Sequence, residues 1–251
     1  MRQALERMAE VLERELNGHL TALYLYGSAA MGDFRPGWSD IDILCLTEEP
    51  LPEERARSLV TLRQRMVEET GDPVYRSFEG AITSLREFLS GQYSRVVYWG
   101  TSGERLTDRY DFDPFGRVSL LRYGKLLAGR DVRDNMPTPT TEELRAAVAR
   151  HLATIRQAAA QTGPSLYSCG WLLDISRCLY TLRAGDILPK TAAGEWALRE
   201  GLCPVETELR RTLTIRREPA TYQDDPETRA WLSGLAPAVQ RYADVLEATL
   251  T

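Results

Sequence analysis

Two short motifs, separated by a loop that contains glycine and proline, carry the residues best suited to chemistry in this chain. Gly27 and Ser28 follow one apolar run, and Asp40 and Asp42 alternate with isoleucines in a second. Because alternate residues of a strand point to the same face, the two aspartates are predicted to project side by side. Adjacent carboxylates repel each other unless a cation lies between them, and Mg²⁺ prefers carboxylate and phosphate oxygens. The pattern therefore predicts a divalent-cation site.

A phosphate-binding turn is predicted just upstream of the aspartates. Gly27 has no side chain, so its backbone can approach a ligand closely, and Ser28 offers a hydroxyl group. The free N–H groups of the turn that follows suit an anion. A strand, a turn that opens a helix, a loop and a second strand thus bring a phosphate site and a metal site into one unit.

Composition narrows the class of protein. The chain has 251 residues, 43% of them hydrophobic, and a net charge of −5. That charge argues against a dedicated duplex-DNA binder, so we expect no nucleic-acid partner. No apolar run approaches the roughly 20 residues of a membrane helix, and the polar N-terminus does not resemble a signal peptide. The chain has four cysteines, Cys45, Cys169, Cys178 and Cys203, and their spacing is not that of metal ligands. We expect them to be reduced residues of the core in a cytoplasmic protein.

Periodicity predicts two domains joined at residues 135–140. The N-terminal part, 1–135, is predicted to be α+β, a small mixed sheet with flanking helices. Its predicted strands are 20–26, 40–47 and 74–83. Its predicted helices are 2–17, 27–32, 53–69, 84–89 and 118–129, and the last of them is expected to end in a short extended segment. Residues 90–116 show no regular pattern and form either a wall of a substrate cleft or a surface loop. Residues 140–251 are predicted to be an all-α bundle of about five helices, 140–161, 166–183, 191–199, 205–217 and 227–250.

The two motifs resemble a known family. Gly27-Ser28 followed by Ser39-Asp40-Ile41-Asp42 is similar to the Gly-Ser…Asp-x-Asp pattern of the polymerase-β-type nucleotidyltransferase superfamily. The resemblance implies that Gly27, Ser28 and Ser39 hold the nucleotide. It also implies that Asp40 and Asp42 bind Mg²⁺, with ATP as co-substrate.

A third carboxylate is expected on a neighbouring strand, as in other nucleotidyltransferases of this type. Glu79 is the acidic residue within the predicted strand 74–83, and its surroundings resemble the corresponding segment of aminoglycoside adenylyltransferase-like proteins. Glu79 either completes the metal site or accepts the proton of the attacking hydroxyl group. A surface glutamate at a strand end is the alternative.

The C-terminal part extends the resemblance to the streptomycin/spectinomycin adenylyltransferases. Ser176-Arg177 and the later Gly185-x-x-x-Pro189-Lys190 are similar to that family's C-terminal domain. The resemblance implies that Arg177 and Lys190 reach the ATP phosphates across the domain interface. An intrahelical pair between Arg177 and Asp174, and a surface position for Lys190, are the alternatives.

The resemblance implies transfer of AMP from ATP to a hydroxyl group of a small molecule bound between the domains. An aminoglycoside or aminocyclitol antibiotic is the expected acceptor and a monomer the expected state. One departure concerns the acceptor: the family's acidic residues that contact the aminoglycoside fall in a segment that corresponds here to 163–170, and this segment contains no acid.

Two other functions remain open from the sequence. The chain could modify a protein or RNA, as the minimal nucleotidyltransferases of toxin–antitoxin pairs do; Arg145 and His151 fit the Arg-x4-6-His spacing of the HEPN ribonucleases that accompany them. It could also be a nucleotide-binding regulator without transfer activity, although such a binder does not need paired carboxylates.

Overall fold

The computed structural model describes residues 1–100 and 103–251, which divide into two units. The first contains Met1–Met31 and Asp40–Thr138, and the second contains Gly32–Ser39 and Pro139–Thr251. No local sequence pattern indicates that the loop Gly32–Ser39 belongs with the helical second unit.

A mixed sheet forms the centre of the first unit. Its described strands are β1 (Leu20–Tyr26), β2 (Ile41–Thr47), β3 (Phe78–Ser84), β4 (Val96–Gly100), β5 (Gly103–Thr107) and β6 (Lys125–Gly129). They lie in the order β5-β4-β3-β2-β1-β6, with β2 and β3 parallel and the other pairs antiparallel. Nearly every residue of the central strands β1 to β3 is buried, as is usual for strands in the middle of a sheet that is covered on both faces.

Helices flank this sheet. They are α1 (Arg2–Leu16), α2 (Gly27–Ala30), α3 (Glu53–Val60), α4 (Leu62–Thr70), α5 (Leu85–Ser90) and α6 (Pro114–Tyr123). α1 buries the predicted apolar stripe, including Met8 and Leu12, and ends at Asn17 in the left-handed conformation. The predicted single helix 53–69 is wrong, because the chain leaves the helical path at Thr61.

The predicted third strand begins too early. Pro73–Ser77 forms a 3₁₀ helix, opened by a side-chain hydrogen bond that Asp72 accepts from the Val74 N–H, and β3 begins only at Phe78. Proline favours the first turn of a helix, so the Asp72-Pro73 pair starts a helical turn where alternation alone predicts a strand. Glu79 remains a strand residue, as predicted.

The stretch 90–116 is more regular than predicted, since it contains β4, β5 and the start of α6. Trp99 on β4 is buried, and its indole N–H donates to the Leu59 carbonyl oxygen at 3.0 Å. The run Val96-Val97-Tyr98-Trp99 has the β-branched and aromatic residues that favour a strand. The glycines around this run led to the prediction of a stretch without regular structure.

The second unit is helical, as predicted. Its described helices are α7 (Thr141–Ala158), α8 (Tyr167–Ala184), α9 (Lys190–Arg199), α10 (Glu206–Arg217), α11 (Pro219–Tyr222), α12 (Pro226–Ser233) and α13 (Ala236–Leu250). Thr140 and Glu143 form the predicted capping box of α7. α8 buries most of its residues and lies at the core of this unit. The predicted single helix 227–250 is wrong, because Gly234 and Leu235 separate α12 from α13.

The four cysteines are buried and form no disulfide bond, as predicted. Burial raises the pKa of the Cys203 thiol to about 11. Within residues 1–100 and 103–251, no helix combines the length and the apolar character that crossing a membrane requires.

Candidate active site

Gly27 lies against the carboxylate of Asp42. It follows β1 directly and has a φ of +66°, in the left-handed region that favours glycine. A Cβ atom at this position would overlap the Asp42 side chain. The Gly27 N–H donates to the hydroxyl oxygen of Ser119 at 2.8 Å, which fixes the turn. The predicted phosphate-binding turn and the second predicted metal ligand are therefore neighbours.

Asp42 and Glu79 are register partners on the parallel strands β2 and β3. Strands that pair in this way lie about 4.8 Å apart, and partnered side chains share a face. Both carboxylates occupy partly exposed positions in strands that are otherwise buried. Ile41 and Ile43, which flank Asp42, are almost fully buried, as the alternation predicts. The fold thus brings together two of the three predicted carboxylates.

These carboxylates act on the buried phenol of Tyr26, the partner of Asp42 on β1. Burial is the main cause that raises the pKa of Tyr26 well above its usual value. Tyr110 raises it further, and so do Asp42 and Glu79, because each carboxylate disfavours a second negative charge nearby. This face of the sheet carries a negative field that a cation would relieve.

Asp40 lies immediately before β2, because the strand begins at Ile41 and not at Asp40 as predicted. Ser39 closes the loop that leads to it. The Ser39 hydroxyl accepts from the Arg35 N–H at 3.0 Å, and the Ser39 N–H donates to the Arg35 carbonyl oxygen at 2.8 Å. Ser28 lies in the single turn of α2 and is partly exposed.

The donors in the first unit fit a hard cation. Asp40 and Asp42 offer oxygen ligands alone, and Mg²⁺ is commonly held by one or two carboxylates and completed by substrate phosphates and water. Among the described residues, no group of three or more His, Cys, Asp or Glu side chains is arranged to hold a metal ion. The chemistry of the donors fits Mg²⁺ that arrives with a nucleotide.

In the second unit, Arg177 and Lys190 meet at one carboxylate. Lys190 Nζ lies 3.1 Å from Oδ2 of Asp174, and an Arg177 guanidinium nitrogen lies 3.6 Å from Oδ1. Burial opposes ionisation of Asp174, but Lys190, Arg177 and His151 outweigh it and lower the pKa of this carboxyl. The intrahelical pair that the sequence allowed is present, and the same carboxylate holds both predicted phosphate-binding cations in place.

Comparison with known families decides what this arrangement is. Residues 5–88 match the family model of the nucleotidyltransferase domain, and residues 129–244 match that of the aminoglycoside adenylyltransferase C-terminal domain. The chain is a nucleotidyltransferase that combines a nucleotidyltransferase domain with a C-terminal domain of the aminoglycoside adenylyltransferase type. The predicted resemblance is thereby confirmed, and so is the prediction of an enzyme.

Individual relatives agree with this assignment. The nucleotidyltransferase is 25% identical to spectinomycin 9-adenylyltransferase from Campylobacter jejuni over 207 residues, which is 78% of each chain. Its fold is similar to that of the spectinomycin adenyltransferase AAD(9) from Enterococcus faecialis, whose crystal structure contains ATP and spectinomycin. The TM-score is 0.69 at 17% identity, and the match covers 98% of this chain and 99% of the other. The predicted fold class is confirmed.

The nucleotidyltransferase also contains a buried charge network that the sequence did not indicate. In the second unit, Arg216 of α10 lies 2.9 Å from Oδ2 of Asp33, and the two side chains are only 2% and 5% exposed. Thr191 donates to Asp33 through its hydroxyl at 2.6 Å and its N–H at 3.1 Å. The Arg216 guanidinium also lies over the ring of Trp38. The network holds the loop Gly32–Ser39, which in the sequence separates Ser28 from Asp40.

One candidate for another activity has a structural explanation. Arg145, which belongs to the Arg-x4-6-His spacing, donates to the backbone carbonyl oxygen of Leu250 at the end of α13. This contact ties α7 to the C-terminal helix and accounts for the arginine without catalysis.

Asp33 makes the stability of the nucleotidyltransferase depend on pH. Burial raises the pKa of its carboxyl, but Arg216 and Thr191 outweigh burial and hold it below the ordinary value. A depressed folded-state pKa contributes stability that is present above the unfolded pKa of about 3.9 and is lost as the pH falls through the folded pKa. We expect the difference in free energy of unfolding between the wild type and Asp33→Asn to shrink below about pH 4. Urea unfolding at pH 7 and at several acidic pH values measures it, and a difference that is constant with pH would contradict the assignment.

A methyl group on Gly27 should disable transfer. In Gly27→Ala the Cβ displaces the Asp42 carboxylate, and a displacement of about 1 Å in a catalytic group costs on the order of 100-fold in rate. Gly18→Ala is the matched control, because Gly18 has a φ of +82° but open space around its Cα. The backbone strain is thus common to both variants. Steady-state kinetics should show the loss in Gly27→Ala alone, and equal losses would mean that backbone strain is responsible.

Proposed function

We propose that this nucleotidyltransferase transfers AMP from ATP to a hydroxyl group of a small molecule, an aminocyclitol or aminoglycoside antibiotic, with Mg²⁺. The observation that carries the proposal is the pair of carboxylates Asp42 and Glu79, partnered across β2 and β3 beside the backbone of Gly27. A backbone turn that can approach phosphate and two carboxylates that share one face are the parts that nucleotidyl transfer needs.

In the proposed reaction, Gly27, Ser28 and Ser39 hold the triphosphate, and Arg177 and Lys190 offset its charge. Glu79 accepts the proton of the acceptor hydroxyl group. The hydroxyl oxygen bonds to the α-phosphorus, the bond from that phosphorus to the bridging oxygen of the β-phosphate breaks, and pyrophosphate leaves with the bonding electrons. Mg²⁺, held by Asp40 and Asp42, would supply charge neutralisation on the phosphates.

Aminocyclitols come first among the proposed acceptors. The relatives that support this choice are named for spectinomycin, and one of them was crystallised with it. In the second unit a cavity of 200 Å³ is lined by the aromatic residues Trp38 and Tyr167 and by Pro164, Ser165 and Leu166 of the acid-free segment. Since carboxylates would attract the ammonium groups of a polycationic aminoglycoside, their absence from this segment favours an acceptor with fewer ammonium groups.

We also propose a cytoplasmic location. The support is the set of four buried thiols that form no disulfide bond, because cysteines stay reduced in a reducing compartment.

Pyrophosphate release tests the acceptor class. Purified protein and MgATP would be mixed with spectinomycin, streptomycin or kanamycin in turn, and release would be followed by a coupled assay. We expect acceptor-dependent release that is fastest with spectinomycin. Release that occurs with streptomycin or kanamycin but not with spectinomycin would contradict the aminocyclitol preference. A lack of acceptor-dependent release throughout, together with AMP found on a protein or RNA in lysate, would overturn the proposal in favour of macromolecule modification.

A further inference from the structure

Tyr98 of β4 converges on the proposed base, Glu79 of β3. The two strands are antiparallel, with Tyr98 opposite Ala81 and Trp99 opposite Gly80. Glu79 is therefore the diagonal neighbour of Tyr98 on the same face of the sheet, a separation that aromatic side chains can span. The Tyr98 hydroxyl donates to Oε1 of Glu79 over 3.4 Å. This bond is long, as hydrogen bonds to catalytic groups often are before substrate binds.

Gly100 provides the space in which these two side chains meet. A Cβ atom on Gly100 would overlap the Tyr98 hydroxyl and would lie 2.7 Å from Oε1 of Glu79. Real Cβ atoms do not approach other atoms that closely, so any larger residue at position 100 would force the tyrosine or the glutamate to move. The glycine thus permits the Tyr98–Glu79 contact.

Arg105 of β5 supports Tyr98 from the next strand. It is the register partner of Tyr98, and its guanidinium lies 4.2 Å from the centre of the phenol ring. A cation over an aromatic face is attracted by the ring electrons and restricts the ring. A chain of contacts therefore runs from Arg105 through Tyr98 to Glu79, across three adjacent strands.

A separate set of hydrogen bonds holds the backbone beside Glu79. Buried Arg63 donates to the carbonyl oxygens of Arg76 and Phe78, and its Nε bonds Oε1 of Glu104 at 2.8 Å. Because the start of β3 is held in this way, the position of the Glu79 carboxylate depends on the side-chain torsions of this residue. A hydrogen bond from Tyr98 restricts those torsions.

We propose that Tyr98 is a positioning residue, which orients the Glu79 carboxylate toward the acceptor hydroxyl group. This inference rests on the proposed function, in which Glu79 accepts the acceptor proton. Tyr98 itself touches neither substrate in this role and acts through Glu79.

The proposal predicts a loss in kcat without a matching change in KM. A hydrogen bond to a charged group is worth enough to change a rate by about tenfold, so Tyr98→Phe should lower kcat by about that factor. Its KM for ATP and for the acceptor should stay within about twofold of the wild-type values. The control is Tyr180→Phe, at a ring that packs on Trp196 in the second unit, and its KM values should also stay within about twofold. Gly100→Ala should lose at least as much kcat as Tyr98→Phe. The thermal midpoint of each variant would be measured alongside, because a purely structural role would lower it and raise KM.

A double-mutant cycle with Glu79→Gln separates positioning from an independent effect. If Tyr98 acts through Glu79, Tyr98→Phe should cause no further loss in the Glu79→Gln background, where residual product is quantified by mass spectrometry. An equal loss of kcat from Tyr98→Phe in both backgrounds would overturn the inference. So would an unchanged kcat in Tyr98→Phe when Glu79→Gln is inactive. Both of these results leave the proposed function intact. Full activity of Glu79→Gln would instead overturn the proposed base and this inference together.

Discussion

Asp42→Asn should abolish acceptor-dependent release of pyrophosphate, with a loss on the order of 1,000-fold in kcat, the upper end of what removing one preorganised electrostatic group costs. Asp42 is the residue at which the predicted parts meet: it is the register partner of Glu79 and of Tyr26, and Gly27 lies against its carboxylate. Asparagine keeps the shape of the side chain and removes its charge, so the variant isolates the charge.

The matched control for this prediction is Asp224→Asn, which changes an exposed aspartate in the second unit. It should have wild-type kcat, and both variants should unfold at about the wild-type temperature. Activity within about tenfold of wild type in Asp42→Asn would mean that this carboxylate does not take part in transfer.

Arg216→Ala should lower the free energy of unfolding by about 3 kcal/mol, because it breaks a buried ion pair and leaves the Asp33 carboxylate with the longer, partly exposed ion-pair contact to Arg35 at 3.4 Å. For a chain of this size the loss corresponds to a fall in the thermal midpoint on the order of 10 °C. Arg216 is 2% exposed and bonds Asp33, which is 5% exposed. Thr191 would still donate two hydrogen bonds to Asp33, which keeps the expected loss at the lower end for a buried pair.

Arg217→Ala tests whether burial is responsible. This neighbouring residue of α10 forms an ion pair with Glu195, but the two side chains are 53% and 42% exposed, so its loss should be small. The double variant Asp33→Leu/Arg216→Met should recover much of the stability, because it leaves no buried charge unpaired. Equal destabilisation in Arg216→Ala and Arg217→Ala, measured by urea unfolding, would show that the buried pair is not a major contributor.

The parts of the site that lie close together in sequence could be predicted from it. Gly27 and Ser28 follow one strand, and the two aspartates lie at the start of the next, so alternation and turn chemistry predict that the turn and the aspartates lie close together. Glu79 was also identified as a strand residue, although β3 begins four residues later than expected. Its place on the strand did not depend on where the strand started.

Contacts between distant residues could not be predicted. Asp33 and Arg216 are 183 positions apart, and no local pattern distinguishes this arginine from its exposed neighbour Arg217. Tyr98 lies in a stretch whose glycines suggested a loop, and its role depends on the register between β3 and β4. Register is set by tertiary packing, which periodicity does not report.

AMP transfer to a small-molecule hydroxyl group is tested most directly by mass spectrometry of spectinomycin after incubation with purified protein and MgATP, for the wild type and for Asp42→Asn. We expect the wild type alone to produce spectinomycin that carries one AMP group, with pyrophosphate as the second product. A phosphorylated acceptor with ADP as the second product, or an AMP adduct that forms equally well in Asp42→Asn, would contradict this expectation.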